Sequence, residues 1–418
     1  MIIYLYIKIF IRKKKLDNQK NIVLVDTFAD KRSAKKDALY PTFEATIKSK
    51  KINNIFFVPT FILSKNIFTY FKIIKSMEKR NYIFKEHYLK FYDIFNSLSK
   101  VFIKKNLISK FYKYYSLDLS DLINEELDSI KEAFSEIVSR LNFIFAKNLY
   151  LNGIKIKKVI NWFENQSVDK GWNLGFRKYY SGSEILGYKN SLHYSHLTNE
   201  IPASYEEKAM VIPKKIIVTG RLLVKPKKEF FKNLNVSVGP SIENQYIFQK
   251  NIKNIKYKFV LALCGIKSID NKLLEWTLFT IKKNPQIKIL IKPHPILPLK
   301  NLIEIEQKLI DSQIFISNES VQKILNKAEI LVSSGPTSII LESLVNKCKL
   351  FYLLLDPCDL LTMKYIKVPK NNFKFIESKF MLLKEMSKAN NSKRIYIKNN
   401  LRSFLYEKPN KKNIRILI

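Results

Sequence analysis

The chain has 418 residues, of which 46% are hydrophobic and 13% aromatic, and this is enough for two domains with ordinary apolar cores. Its three cysteines include no Cys-x-x-Cys pair, which disfavours a disulfide scaffold or a zinc site and fits a reducing compartment. The net charge of +38 attracts anions, but no nucleic-acid-binding motif accompanies it, and an AT-rich genome would produce the same spread of lysines.

Residues 1–11 are apolar except for Lys8 and run into the basic stretch 12–15. This segment is shorter than the roughly 20 residues that a membrane-spanning helix needs. Its basic residues follow the apolar ones, which is the reverse of a secretory signal. We expect a first strand or an irregular start, or else a weak interfacial anchor that contacts anionic lipid. The expected location is the cytoplasm, with peripheral contact at the inner face of the cell membrane.

Short apolar runs alternate with helical patterns in the first half of the chain. Buried strands are predicted at 21–26, 55–60, 157–162, 185–188 and 215–220. Helices are predicted at 61–79, less clearly at 83–108, and at 119–148 and 169–176. The basic and irregular stretch 225–256 is the predicted connection to a second domain.

From residue 257 onward the alternation becomes regular. Strands are predicted at 257–264, 286–291, 314–316, 329–332 and 349–355. Helices are predicted at 270–283, 299–310, 320–327 and 337–346, and a further helical pattern runs from 373 to 388. The pattern predicts an α/β fold with two Rossmann-like, doubly wound parallel sheets that face a cleft.

Two motifs stand at the ends of predicted strands in the second half. One is Lys292-Pro-His294-Pro, and the other is Ser-Ser-Gly-Pro-Thr-Ser at 333–338, which opens a helix. Ligands of such folds bind at the carboxyl ends of the strands. Unpaired N–H groups at a helix start, with hydroxyls, a lysine and an imidazole, suit a phosphate-bearing ligand. A plain helix cap at Thr337 or Ser338 is the alternative.

The sequence also indicates how such a ligand would be held. Glu342 lies one helical turn beyond Ser338 and could accept hydrogen bonds from a ribose, although an exposed structural glutamate would have the same spacing. No Asp-x-Asp is present, so we expect no metal and no separate cofactor, and stabilisation by the helix start, lysine and histidine. No Gly-x-Gly-x-x-Gly is present either, which disfavours dinucleotide redox chemistry. The predicted ligand-binding residues are Lys292, His294, Ser333, Ser334, Gly335, Thr337, Ser338 and Glu342.

The order of these motifs resembles that of GT-B-type glycosyltransferases. It is most similar to bacterial surface-carbohydrate and capsular-polysaccharide biosynthesis proteins, which are related to transferases that use CMP-sugars or CDP-glycerol. Motifs of the first half fall in the same order, so that the resemblance covers residues 155–360. They lie at 161–166, 169–171, 187–188, 193, 212–213, 217–220 and 238–240.

The resemblance implies an acceptor-side domain at 1–224, a connection at 225–256, a nucleotide-sugar domain at 257–372, and a basic tail at 373–418 with a helix that returns to the first domain. It implies metal-independent, inverting transfer from a nucleotide-activated sugar, CMP-linked for example, to a glycan or lipid-linked acceptor.

Inverting transfer needs a base that takes the proton of the acceptor hydroxyl. Glu164 stands at a predicted strand end and is the first candidate, with His193 and His196 as alternatives. His294 is a further catalytic candidate, because an imidazole there could bond the leaving oxygen. Each of these side chains could instead be a loop residue that bonds the backbone.

Two other functions stay open. A UDP-sugar 2-epimerase-like enzyme would share the architecture, but it would need several carboxylates at strand ends of the first half. A non-catalytic polysaccharide-assembly or membrane-surface binding protein would rely on the basic tail and the amino terminus instead of on Glu164.

Overall fold

The computed structural model of the chain contains two parallel β-sheets of six strands each, flanked by helices. The predicted α/β fold with two doubly wound sheets is therefore confirmed. The structure describes residues 2–16, 19–64, 66–103, 113–114, 116–128, 130–189, 198–248, 254–356, 359, 372–392 and 402–418.

The helices of the described residues lie on both faces of the sheets and in the tail. Those of the first half are α1 (Ile2–Phe10), α2 (Pro41–Ser49), α3 (Ile67–Glu78), α4 (Phe91–Ile103), α5 (Ser120–Asp128), α6 (Ile130–Leu151), α7 (Ser167–Tyr179), α8 (Ser204–Lys208) and α9 (Val224–Lys227). Those of the second half are α10 (Lys267–Lys283), α11 (Gln307–Ser312), α12 (Val321–Lys327), α13 (Ile339–Val345), α14 (Lys379–Asn390), α15 (Arg402–Leu405) and α16 (Lys411–Ile414).

The strands follow the predicted alternation with the helices. The first half contains β1 (Ile22–Ala29), β2 (Ile55–Ile62), β3 (Lys113–Tyr114), β4 (Leu117–Asp118), β5 (Ile156–Trp162), β6 (Glu184–Lys189), β7 (Lys215–Val218) and β8 (Val236–Val238). The second half contains β9 (Tyr257–Ala262), β10 (Ile289–Lys292), β11 (Ile314–Ile316), β12 (Ala328–Ser333), β13 (Lys349–Leu353) and β14 (Phe373–Ile376).

The strand order creates one switch point in each sheet. The first sheet has the order β2-β1-β5-β6-β7-β8, and the second has β11-β10-β9-β12-β13-β14. In the first sheet β2 lies on one side of β1, and β5 to β8 lie on the other. In the second sheet β10 and β11 lie on one side of β9, and β12 to β14 lie on the other. The crevice between β1 and β5, and that between β9 and β12, are therefore the places where ligands bind in folds of this kind.

Each sheet is buried on both faces, which is why its strands read as continuous apolar runs. In β1, Val23 and Val25 pack into one core, whereas Ile22 and Leu24 pack into the core on the other face. A third cluster of buried side chains includes both Val218 of the first sheet and Val260 of the second.

Three elements differ from the sequence prediction. Residues 2–10 form a helix and no strand, because Tyr4 and Ile7 are buried at helical spacing. Strand β8 lies inside the predicted connection 225–256 and completes the first sheet; it has only three half-buried residues, so its pattern is weak. Strand β14, in the predicted helical tail, completes the second sheet, and its alternating Phe-Lys-Phe-Ile is a strand pattern.

Helix boundaries differ at two further places. The helix predicted at 61–79 begins only at Ile67, because β2 continues to Ile62 and Asn66 caps the helix by accepting from the N–H of Thr69 at 2.8 Å. The helix predicted at 299–310 is a short turn followed by α11. There the apolar side chains of Leu302 and Ile303 pack on the core without a regular helix.

The last described segment of the tail, 402–418, packs against the first half of the chain. Leu417 is buried in the core beside β1, and the N–H of Ser241 donates to the carbonyl of Glu407 at 2.9 Å. The backbone of Gly220 lies so close to the carbonyl of Leu405 that a side chain there would collide with it. Among the described residues, no helix combines the length and the apolar character that crossing a membrane requires.

Candidate functional site

The loop that follows β9 forms the centre of the second switch point. Gly265 has a φ of +90°, which a glycine adopts without strain. Asp270, fully buried in the first turn of α10, holds this loop through both carboxylate oxygens. It accepts from the N–H of Cys264 at 2.7 Å and from the N–H of Gly265 at 2.9 Å. The loop is therefore fixed before any ligand arrives.

The Lys292-Pro-His294 corner at the end of β10 packs on one side of that loop. The ring of His294 lies so close to Gly265 that a Cβ on residue 265 would come within 2.5 Å of Nδ1. Burial lowers the pKa of His294, and Lys292 adds to this shift while Asp270 opposes it. Burial also lowers the pKa of Lys292, whose ammonium donates to the carbonyl of Pro293 at 3.1 Å. Both side chains are half-buried, so each keeps a part exposed to a ligand.

The segment 333–338 packs on the other side of the same loop. Gly335, with a φ of +70°, lies against Cys264, since a Cβ there would be 3.1 Å from Sγ. Ser333 donates to the carbonyl of Ala262 at 2.9 Å. Ser334 donates to the carbonyl of Leu353 at 2.7 Å. Both serines are fully buried, so their hydroxyls support the loop in this structure and do not point to a ligand.

Asp359 organises this segment, although sequence reasoning missed it. Its carboxylate accepts from the hydroxyl of Ser334 at 3.2 Å and from the N–H of Gly335 at 3.3 Å. The hydroxyl of Tyr352 donates to the same carboxylate at 2.9 Å. Asp359 is buried and lies well beyond the end of β13, so no local spacing connects it with residues 333–338.

Thr337 and Ser338 are the more accessible hydroxyls of the segment, being half-buried and exposed. Ser338 stands at the start of α13, but its side chain forms no cap bond to the helix backbone. Its hydroxyl donates instead to Oε1 of Glu342 at 3.0 Å. The alternative of a plain helix cap is therefore not observed at Ser338.

Glu342 is buried, which excludes the alternative of an exposed helix glutamate. The hydroxyl of Tyr246 donates to its Oε2 at 2.5 Å. Burial raises the pKa of Glu342, and the bonds from Tyr246 and Ser338 oppose the shift. Tyr246 lies in the segment between the two sheets, and its role could not be read from the sequence because it is 96 positions from Glu342.

At the carboxyl edge of the first sheet, Glu164 follows β5. Its Oε1 accepts from the indole N–H of Trp162 at 3.1 Å, and its Oε2 accepts from the amide of Gln166 at 3.0 Å. The ammonium of Lys189 lies 3.8 Å from Oε1, and the side chain of Glu164 is 30% exposed. Glu164 is therefore oriented by neighbours and still open to solvent on one side. His193 and His196, the alternative bases, lie outside the described residues.

A buried charge cluster stands next to Glu164. The ammonium of Lys189 is 3.0 Å from Oε2 of Glu200, and that of Lys227 is 3.8 Å from the same oxygen. Lys227 also donates to the carbonyl of Glu200 at 2.7 Å. Both lysine side chains are only 1% exposed. Burial lowers the pKa of Lys227 to about 7, and Lys189 adds to this shift.

A second buried network fills the switch point between β1 and β5. The amide of Asn161 donates to Asp26 at 2.5 Å and to Asp169 at 3.3 Å, and the hydroxyl of Thr60 donates to Asp26 at 2.5 Å. Burial raises the pKa of Asp26 to about 7 and that of Asp169 to about 6. Asp169 also accepts from the N–H of Glu164 at 3.1 Å, so this network supports the loop that presents the candidate base.

No group of three His, Cys, Asp or Glu side chains among the described residues is arranged to hold a metal ion. The groups that converge at the second switch point are cationic or neutral donors, together with three buried carboxylates that already accept hydrogen bonds, those of Asp270, Asp359 and Glu342. The accessible donors Lys292, His294, Thr337 and Ser338 suit an anionic ligand.

Comparisons with known proteins give only distant similarities. No protein-family model matches the sequence, and no curated protein matches it either. Among solved structures, the chain is similar to MurG of Acinetobacter baumannii, with 8% identity, 89% of this chain and 91% of that one covered, and a TM-score of 0.46. It is similar to the glycotransferase of kitacinnamycin, with 7% identity, 90% and 92% covered, and a TM-score of 0.49.

It is also similar to MnaA of S. aureus in a co-structure with UDP, with 10% identity, 95% of each chain covered, and a TM-score of 0.47. At these identities and TM-scores, the similarity says nothing about the activity of this chain.

Proposed function

We propose that this protein is a GT-B-type glycosyltransferase of surface-polysaccharide biosynthesis. It transfers a sugar from a nucleotide-activated donor, CMP-linked for example, to a glycan or lipid-linked acceptor with inversion of configuration. The donor binds at the carboxyl edge of the second sheet and the acceptor at the carboxyl edge of the first, across a cleft between the two.

One observation carries the proposal. The two motifs that the sequence singles out pack on opposite sides of the same fixed loop, with His294 against Gly265 and Gly335 against Cys264. This is the switch point of a doubly wound sheet, where nucleotides bind. The half-buried Lys292 and His294 and the accessible Thr337 and Ser338 suit a phosphate there.

The donor site in this proposal works without a metal ion or a separate cofactor. The acceptor oxygen attacks the anomeric carbon, the bond to the nucleotide phosphate breaks, and its electron pair leaves with the phosphate. Lys292 and His294 stabilise the charge that develops on that phosphate. Ser333, Ser334 and Gly335 hold the shape of the loop.

Glu342 is the proposed ribose ligand. Its buried carboxylate is bonded by Tyr246 and Ser338, and a ribose hydroxyl would replace the bond from Ser338, which is exposed. Glu164 is the proposed base, supported by its partial exposure and by the neighbours that orient it. His193 is the alternative base.

Calorimetric titration with CMP, CDP and UDP tests the donor site. At least one nucleotide should bind the full chain saturably, and His294→Ala should weaken it about tenfold or more, which corresponds to the loss of one good hydrogen bond to a charged group. Lys292→Ala should act in the same direction. The matched control is Lys300→Ala, because Lys300 is an exposed lysine of the same post-β10 segment. Unchanged affinity in both variants overturns the proposed site.

We also propose that α1 rests on an anionic membrane surface. Ile7 is fully buried on one face of the helix, while Ile2, Ile9 and Phe10 are 65%, 68% and 64% exposed on the other. The basic stretch 12–15 follows directly, which suits anionic headgroups. Ile9→Glu combined with Phe10→Glu should abolish co-sedimentation with phosphatidylglycerol vesicles and spare nucleotide binding. Retained co-sedimentation contradicts this placement.

Assays on the same full chain distinguish the proposed transferase from the epimerase and from the non-catalytic binding protein. Asp26 and Asp169 are the paired carboxylates that an epimerase could use, but both are buried and bonded to neighbouring amides. Interconversion of UDP-sugar C2 epimers without an acceptor would favour the epimerase. Nucleotide-free binding of polysaccharide, with neither transfer nor epimerisation, would favour the non-catalytic protein.

A further inference from the structure

A basic cavity lies at the amino-terminal edge of the first sheet, on the opposite side from Glu164. Its volume is about 490 Å³, and the starts of β5, β6 and β7 form its walls together with α16 of the tail. Strand β6 has six residues, and a strand rises about 3.3 Å per residue, so about 17 Å separates this cavity from the carboxyl edge. The cavity is therefore independent of the proposed transfer site.

The lining of the cavity is strongly cationic. Five basic residues and a single carboxylate border it, namely Lys158, Lys214, Lys215, Lys412, Arg415 and Glu184. Lys158 is the third residue of β5, Lys214 and Lys215 precede and start β7, and the other two cations are on the tail. Residues from distant parts of the chain thus bring like charges to one concave surface, which is unfavourable unless an anion compensates them.

Two of the lysines fix the walls. Lys158 has 6% side-chain exposure, donates to the carbonyl of Ile416 at 2.8 Å, and lies 3.2 Å from the carboxylate of Glu184. Lys214 donates to the carbonyls of Ser181 and Ser183. These bonds join the tail and the turn before β6 to the edge of the sheet, so the cavity is a built feature of the folded chain.

The other three cations, Lys215, Lys412 and Arg415, do not hold the walls of the cavity together. Within the described residues, no hydrogen bond or ion pair joins the side chain of Lys215, Lys412 or Arg415 to another group. Lys412 and Arg415 are exposed, and Lys215 is half-buried at the start of β7. They are available to a ligand that enters the cavity, and the guanidinium of Arg415 offers the paired donors that bind phosphate oxygens in a bidentate way.

We infer that this cavity binds a compact phosphate compound with at least two negative charges. A single carboxylate would leave most of the cationic lining uncompensated, whereas a diphosphate or a phosphomonoester dianion neutralises more of it. The volume falls in the range of small-molecule sites, which is about 300–1,000 Å³. Either a soluble phosphate compound or the phosphomonoester headgroup of an anionic lipid supplies this chemistry. Since the ligand contacts both sheet and tail, its binding also tightens the attachment of the tail.

Inorganic pyrophosphate and vesicles that contain phosphatidic acid, whose phosphomonoester headgroup can carry two negative charges, are the two probes for the full chain. Pyrophosphate should bind saturably and raise the melting temperature, because it binds the folded state alone. Lys215→Gln combined with Arg415→Gln should weaken that binding about tenfold or more while leaving nucleotide affinity unchanged. The matched control is Lys408→Ala combined with Lys411→Ala, because these tail lysines do not line the cavity.

The outcomes distinguish a soluble phosphate compound from a lipid headgroup, and both of these from the absence of a specific phosphate site. If binding to the phosphatidic acid vesicles falls in the cavity variant and is retained in the control variant, the headgroup is a source of the phosphate. If pyrophosphate alone responds, the source is a soluble compound. An equal loss in the control variant means diffuse attraction by the net charge, and that result overturns the site. Absence of saturable binding by both probes overturns it as well.

Discussion

The imidazole of His294 rests directly on the backbone of Gly265, where a Cβ would come within 2.5 Å of its Nδ1 atom. The two residues stand at the ends of the neighbouring strands β10 and β9. The carboxylate of Asp270 accepts a hydrogen bond from the N–H of Gly265 at 2.9 Å. The position of the imidazole is therefore set by the absence of a side chain at 265, and not only by the prolines around His294.

Gly265→Ala should weaken ligand binding at the proposed donor site by more than its loss of stability alone would explain. The positive φ costs an alanine about 1–3 kcal/mol, and the new methyl group displaces the imidazole. We expect nucleotide affinity to fall about tenfold or more, measured by calorimetry, with a lower melting temperature.

Gly153→Ala separates the two effects. Gly153 has a φ of +72°, but nothing lies within 4 Å of its hypothetical Cβ. It should therefore lose a similar amount of stability and keep wild-type nucleotide affinity. If Gly265→Ala keeps that affinity too, the contact with His294 does not position a binding group.

Much of the fold was predictable, because the positions of strands and helices depend on local apolar patterns. The two motifs at the second switch point were predictable for the same reason, since strand ends of a parallel sheet share one edge. The supports of the site were not, because Asp270, Asp359 and Tyr246 act through contacts that leave no fixed spacing. Strand β8 was missed because an edge strand of three residues has no apolar run.

The sequence prediction also overestimated how many serine hydroxyls contact a ligand. Four hydroxyls in residues 333–338 suggested four ligand contacts, yet Ser333 and Ser334 donate to the backbone carbonyls of Ala262 and Leu353. Composition alone does not reveal which hydroxyls the fold itself uses. Glu342 was placed correctly on the helix, but its burial depends on Tyr246 from another part of the chain.

Asp26 should make the stability of the protein depend on pH. Burial raises its pKa to about 7, whereas the pKa of an aspartate in the unfolded chain is about 3.9. Between these values the folded state keeps a proton that the unfolded chain releases. The free energy of unfolding should therefore fall as the pH rises from about 4 to about 7, by up to about 1.4 kcal/mol per pH unit.

Urea denaturation at several pH values checks this. Asp26→Asn removes the titrating group and should flatten the slope, while it also loses one of the two acceptors for Thr60 and Asn161 and so lowers stability throughout. Asp121→Asn, at an exposed position of α5, should keep the wild-type slope. A wild-type slope in Asp26→Asn would show that Asp26 is ionised in the folded protein.

Glu200→Gln should strongly destabilise the first half of the chain. Glu200 lies 3.0 Å from Lys189 and 3.8 Å from Lys227, both almost fully buried. Removal of a partner from a buried ion pair costs about 3–5 kcal/mol. Because burial lowers the pKa of Lys227 to about 7, that lysine is charged at pH 6 and largely neutral at pH 8, so the penalty should be larger at pH 6.

A double variant isolates the charge effect. Lys227→Met in the Glu200→Gln background removes one of the two cations. It should therefore recover part of the lost stability and remove most of the pH dependence of the penalty. Denaturant titrations of both variants at the two pH values provide the comparison. If the double variant is less stable than Glu200→Gln by the full cost of Lys227→Met alone, the two residues are not coupled.

Glu164→Gln tests the proposed base without disturbing the donor site. Glutamine keeps the oxygen that accepts from the indole of Trp162, but it cannot take a proton from an acceptor hydroxyl. We expect kcat to fall by about 10²–10⁴ with unchanged nucleotide affinity, because general base catalysis contributes that factor. Glu125→Gln, an exposed carboxylate of α5, should keep full kcat. Wild-type kcat in Glu164→Gln would assign proton transfer to another group and leave Glu164 the task of holding Trp162 and Gln166, since its carboxylate bonds both side chains.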